Sequence, residues 1–217
     1  MGSSLQSPLA VIFELAVLML SVMIHEISHG VTALALGDHT AKRAGRLTFN
    51  PLKHLDLVGS ILLPLMLFLL GGPVFGWAKP VPVNIFHLKN PRAGAGLIGA
   101  AGPVSNFAVA VVFALLTRVF VLWLDNPLIA VLLALFQFII ITNIALAVFN
   151  LLPIPPLDGS NILFSLLPRS YFPIQAFLTR YGFYILLALI FFGGLGFIGS
   201  VIEAIYGFLV GEIGYIL

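Results

Sequence analysis

The 217 residues are 60% hydrophobic and only 8% charged, with a net charge of +2 and no cysteine. Soluble domains carry about a quarter of charged residues, so a soluble globular chain is excluded, and so small a net charge gives nucleic acid no footing. Without cysteine there are no disulfides and no thiolate metal sites, and any bound metal must be held by His, Asp or Glu.

In chain order, four apolar segments, about 8–36, 97–124, 128–150 and 181–210, are long enough to cross a bilayer as helices, which needs roughly 20 residues. The first is expected to remain in the mature protein: no Lys or Arg precedes Lys42, and a polar cluster interrupts it, both unlike a signal peptide. A fifth stretch, "LVGSILLPLMLFLLGG" at 57–72, carries Pro64 and is marginal as a span. On either side of it, "TAKRAGRLTFN" (40–50) and "VFGWAKPVPVN" (74–84) have the alternating or proline-spaced pattern of edge strands. The expected fold is therefore an all-α polytopic membrane protein, residues 1–217 forming one transmembrane domain, with four spanning helices, a re-entrant segment and a small β element at the membrane surface.

The polar cluster is His25-Glu26-Ile27-Ser28-His29, or H-E-x-x-H. On a helix, residues four apart share a face, so both imidazoles can hold one metal ion while Glu26 reaches a water on it as general base. Two His, one carboxylate and water make the open tetrahedral site of a catalytic zinc. Given five histidines in the chain, about 0.002 such motifs are expected by chance. The plainer reading, two histidines hydrogen-bonded to neighbouring helices, competes poorly, since ionisable residues at membrane depth are costly and mark function.

A third ligand must come from Glu14, Asp38, Asp56, Asp125, Asp158, Glu203 or Glu212. Asp158 stands out. It follows "NLLPIPP" (150–156), whose three prolines stop a helix, and precedes Gly159. Broken backbone at membrane depth belongs where it is buried in protein or lines a cavity. Capping the next helix is an alternative role compatible with ligation.

H-E-I-S-H at 25–29 together with "FNLLPIPPLDG" at 149–159 resembles the site-2 protease family of intramembrane zinc metalloproteases, and "AGPVSN" (101–106) and "NPLKHLDLVG" (50–59) resemble further elements of its compact bacterial branch. The resemblance implies His25, His29 and Asp158 as zinc ligands, Glu26 as catalytic residue and a transmembrane protein as substrate. The length leaves no room for an inserted PDZ domain or an appended nucleotide-binding module. Within these motifs, Asn106 and Asn150 divide evenly between structural bonding and substrate or oxyanion contacts near the metal. Asn143 reads as interhelical bonding. His54 and Asp56 read either as partners behind the ligands or a gate, or as a surface helix cap.

The ligands must meet, and this constrains topology. His25 and His29 lie in the second half of the first span, so Asp158 reaches them only after two further crossings, which makes 57–72 re-entrant. Nine of the ten basic residues then fall on the metal-site side and only Arg118 on the other, placing the site towards the cytoplasm of a multi-pass cell-membrane protein. A metal-ion transporter, or a metal-binding scaffold without catalysis, is the competing class; transport calls for further ligands in the membrane, whereas hydrolysis requires Glu26 itself.

Overall fold

A computed structural model describes residues 8–62, 66, 69 and 79–211. Helix α1 is Pro8–Ala35, α2 Pro91–Phe120, α3 Pro127–Asn150, α4 Asp158–Leu166, α5 Phe172–Phe191 and α6 Phe197–Val210. Two of these begin in the same way. The side chains of Asn90 and Asn126 accept backbone N–H groups of the first turns of α2 and α3, and the next residue in each is a proline, whose missing N–H needs no partner there.

Among the described residues, four helices are long and apolar enough to cross a membrane: α1, α2 with its short extension to Trp123, α3 and α5. Much of what they bury is small or polar, beside a few large apolar side chains such as Met23, Leu133, Ile140 and Ile144. Helix α2 turns Gly99, Gly102, Asn106, Ala110, Ala114 and Thr117 inward, while Leu97, Val104, Phe107, Val112 and Leu115 are exposed. Water-soluble helices do the reverse; in lipid, association comes from close packing and hydrogen bonding, which favours small and polar residues at the contact. Ala110 and Ala114 pack with Ile140 and Ile144 of α3 and Val210 of α6 in one cluster.

Helices α1 and α2 are antiparallel: His25 meets Asn106, and His29, further along α1, meets Ile98, earlier on α2. Helix α3 returns the chain, so the start of α4 lies at the end of the bundle where α1 ends and α2 begins. Leu88, just before α2, packs on Ala33, so residues 36–90 leave and rejoin the bundle at that same end. Among the described residues, α2 and α3 are the membrane-length helices between the H-E-x-x-H motif and Asp158.

Two expectations need correction. No strand occurs among the described residues, so the expected β element is absent at 40–50 and 79–84, while 74–78 lie outside the described residues. Thr40–Arg43 is a helical turn, fixed by the Asp38 carboxylate, which accepts the N–H and hydroxyl of Thr40. Residues 79–84 are extended but unpaired with any strand: Pro80 and Pro82 have no N–H to offer a ladder, and side chains take the remaining polar groups. Arg46 Nη2 donates to the carbonyls of Lys79 (2.6 Å) and Pro80 (3.3 Å), and Asp38 accepts the Asn84 N–H (2.7 Å). Both clamps are buried, Asp38 wholly so.

The segment expected as one span at 181–210 is two helices, α5 beginning earlier and α6 following a turn at Phe192–Gly196. Gly193 makes that turn with φ +72°, a left-handed conformation that costs glycine least. At the far end of α6, Leu209 and Phe208 carbonyls accept from Arg118, near the far end of α2, so the pair α5–α6 begins at the motif end of the bundle and finishes at the other. Of the expected re-entrant stretch, Leu57–Leu62 forms one wide helical turn, and 63–65, 67, 68 and 70–72 lie outside the described residues.

Candidate metal centre

His25 and His29 are one turn apart on α1, both buried, with rings 4.6 Å apart and nearly perpendicular. Their Nε2 atoms approach one oxygen, Oδ2 of Asp158, at 2.9 and 3.2 Å. The three side chains can each turn one ligand atom inward within 4.8 Å of the others, the size of a single ion's coordination sphere, and no other such group of three occurs among the described residues.

The backbone around them explains the convergence. Asp158 opens α4, directly after the proline-rich break that ends α3; Leu157 rather than Asp158 holds the cap position, and the carboxylate is left for the histidines. On the opposite wall is Gly102 of α2. A Cβ built there would stand 2.5 Å from Nε2 of both histidines, a distance no side chain survives. The two imidazoles thus fill the space that any other residue at 102 would occupy.

The outer nitrogens are committed elsewhere. His25 Nδ1 lies 2.6 Å from Asn106 Oδ1, and His29 Nδ1 lies 2.6 Å from the Ile98 carbonyl. Since a carbonyl only accepts, His29 Nδ1 carries the proton and its Nε2 is left with a lone pair, the form that ligates metal. The donor set, two imidazoles and a carboxylate without sulfur, suits zinc in a hydrolytic site. The residues fit the ion.

Glu26 faces the same cleft. One of its oxygens accepts the Val81 N–H at 2.7 Å, so the extended 79–84 segment lies across the base with its backbone. The cleft, about 320 Å³, is lined by His25, Glu26, His29, Asp158, Pro80, Val81, Val83, Ile98 and Asn150 among others. It adjoins a larger cavity of about 600 Å³ between the starts of α2 and α5 and the end of α4, with Ile85, Ala95 and Asn161 common to both.

Of the other residues singled out in the sequence, Asn150 lines the cleft and donates to the Leu146 carbonyl one turn back. Asn106 sits behind His25, wholly buried, rather than in the cleft. His54 is also buried but stands outside the cleft: its Nε2 bonds the Thr48 carbonyl, and its own carbonyl accepts the Lys79 N–H, which places it at the root of the 79–84 segment. Sequence reasoning missed Gly102, although it falls inside "AGPVSN", and missed Asp38 and Arg46, where a charge between two motifs was the only signal. The Ile98 carbonyl and Val81 N–H are backbone groups and leave no trace in residue identity.

The sequence profile of peptidase family M50 matches residues 123–193. The candidate zinc metalloprotease YwhC of Bacillus subtilis (strain 168) is 42% identical over 178 residues, covering 79% of this chain and 77% of that protein. The chain belongs to peptidase family M50, the site-2 protease family. Candidate zinc metalloproteases named Rip2 are 35% identical, over 145 residues in Mycolicibacterium smegmatis and 141 in Mycobacterium tuberculosis strain H37Rv, covering 67% and 65% of this chain. The chain spans about half of each of these two longer proteins, 53% and 52%. No solved structure matches it. M50 membership accounts for H-E-x-x-H on a membrane helix: this is a multi-pass membrane protease of the zinc metalloprotease class.

Proposed function

We propose that residues 1–217 form one transmembrane metalloprotease domain that hydrolyses a peptide bond of a transmembrane protein within or near the bilayer, with His25, His29 and Asp158 holding zinc and Glu26 acting as general base. The observation that carries this reading is the convergence of both Nε2 atoms on Asp158 in a cleft that Glu26 also lines. Bound zinc supplies Lewis acidity, polarising a carbonyl and making water acidic enough to attack near neutral pH. Glu26 takes the proton of the attacking water and passes it to the departing amine. Its oxygen bonded to Val81 N–H stays oriented, and the other is left for that proton. Asn150 on the cleft wall is placed to bond the substrate backbone.

A substrate helix must unwind first, because its peptide bonds are shielded by their own hydrogen bonds. The extended 79–84 segment borders the cleft, but Val81 N–H is taken by Glu26, which leaves Val83 as the next group for pairing with an unwound chain. The basic residues at the motif end of the bundle, Lys42, Lys53, Lys79, Lys89 and Arg92 among them, orient that end to the cytoplasm, with Arg118 at the other. The return of residues 36–90 to that end supports a re-entrant course for 57–72. The transporter reading gains nothing, since the described residues offer no second ligand group along a path.

Reconstituted cleavage of a panel of single-span membrane proteins tests the proposal. Wild type should cut at least one, while Glu26→Gln should retain zinc and lose at least about 100-fold in rate. Cleavage by Glu26→Gln at the wild-type rate would overturn the assignment.

A further inference from the structure

Behind His25 lies a chain of three buried polar side chains from three helices: Asn106 of α2 and Asn143 of α3, both wholly buried, and Ser21 of α1, 3% exposed. The direction of each amide hydrogen in it follows from groups that can only accept. Asn106 Nδ2 is 3.1 Å from the Ser21 carbonyl and 2.8 Å from Asn143 Oδ1. A backbone carbonyl has no proton to give, so that end of Asn106 is the NH2 group, and its oxygen faces His25. Asn143 Nδ2 is 2.9 Å from the Ile139 carbonyl and 2.9 Å from Ser21 Oγ, so its oxygen in turn is the end that receives Asn106. With both Asn106 hydrogens engaged, Asn106 Oδ1 accepts from His25 Nδ1, which must carry the proton.

We propose that Ser21, Asn143 and Asn106 act as a positioning relay that fixes His25 with its proton on Nδ1 and its Nε2 lone pair turned to the zinc. Asn143 and Ser21 act through Asn106, whose amide they hold against reversal. The inference rests on the zinc reading above. Packing between helices alone would not require the bonds to run in one direction ending on a ligand. His29 receives the same service from the Ile98 carbonyl, which no side-chain substitution removes, and is the internal control.

The full-length Glu26→Gln protein, labelled with 15N-histidine and loaded with zinc, tests this by NMR and by competition with a chromophoric chelator. In that parent, His25 and His29 should both show a slowly exchanging Nδ1 proton and a metal-bound Nε2. Asn106→Leu should weaken zinc binding about 10- to 100-fold, as loss of partners behind metal ligands commonly does, and Asn143→Leu by up to about tenfold; both should disturb the His25 signals and leave those of His29 in place. Thr117→Val, which removes a buried hydroxyl bonded to Phe113 elsewhere on α2, should lower thermal stability without moving zinc affinity. Zinc affinity within about twofold of the parent in both leucine variants would overturn the relay while leaving the protease reading intact. So would a parent in which His25 binds zinc through Nδ1, a result that needs no variant to fold. A parent that takes up no zinc would overturn both.

Discussion

The bundle has two unlike parts. Helices α1, α2 and α3 approach through glycine, alanine, serine and asparagine, and bury the metal group where they meet. Helices α5 and α6 carry few buried residues, Gly182 and Leu186 on α5 and Val210 on α6, and leave Phe177, Phe183, Phe191, Phe197 and Phe208 exposed. The difference shows what a membrane requires of each. Lipid solvates large apolar side chains as well as a protein core does, so α5 and α6 gain little by packing tightly, whereas the helices that hold two imidazoles against the Asp158 carboxylate at the start of α4 have no such freedom.

The sharpest way to break this comparison is Gly102→Ala. Its methyl overlaps both Nε2 atoms, so zinc should be lost and cleavage should fall at least about 100-fold, the scale of misplacing a catalytic group by an ångström. Metal analysis together with rate measurement checks it; full zinc occupancy in the variant would show that the wall yields. Removing zinc with a chelator comes next. Hydrogen exchange should rise around His25, Ile98 and Asp158, where the ion would tie α1 to α4 and His29 bonds α2, and stay unchanged along α5 and α6.

Leu186→Ala sharpens the contrast from the other side. It should cost roughly 1–2 kcal/mol, below the usual range for a buried leucine because lipid accommodates the exposed surface, with zinc content and cleavage within about threefold of wild type. The smallest effect belongs to Asp38. Burial works against its charge, but bonds from the Thr40 hydroxyl, the Asn84 N–H, His87 and the Thr40 N–H outweigh it and hold the carboxyl well below its usual range. A carboxylate whose folded pKa is lowered contributes stability above its unfolded value, about 4, and loses it as pH falls further. Wild type should therefore lose stability below about pH 4 more steeply than Asp38→Asn, as thermal melts across that range would show.

Much of the site could be read in the sequence because its chemistry demands fixed residue types at fixed spacing: His25 and His29 one turn apart, and Asp158 after a run of prolines that no membrane helix tolerates without reason. Topology followed from the need for these to meet. What the sequence concealed depends on partners distant in the chain. Residues 79–84 have the pattern of a strand, yet prolines remove the donors that a sheet needs, and Arg46, Asp38 and Glu26 replace the missing neighbour. Thr40–Arg43 turns helical because Asp38 binds its first N–H. The division of 181–210 rests on Gly193, a residue common enough within membrane helices that its left-handed turn could not be told from ordinary packing. Asn143 read as a bond between helices, and so it is; that the bond leads through Asn106 to His25 emerges only when the acceptors around it are known.

Gly102 also sets a ruler. It is eleven residues beyond Pro91, about 16 Å along the axis of a 30-residue helix, so the candidate metal group faces α2 about a third of the way along its length rather than at its first turn.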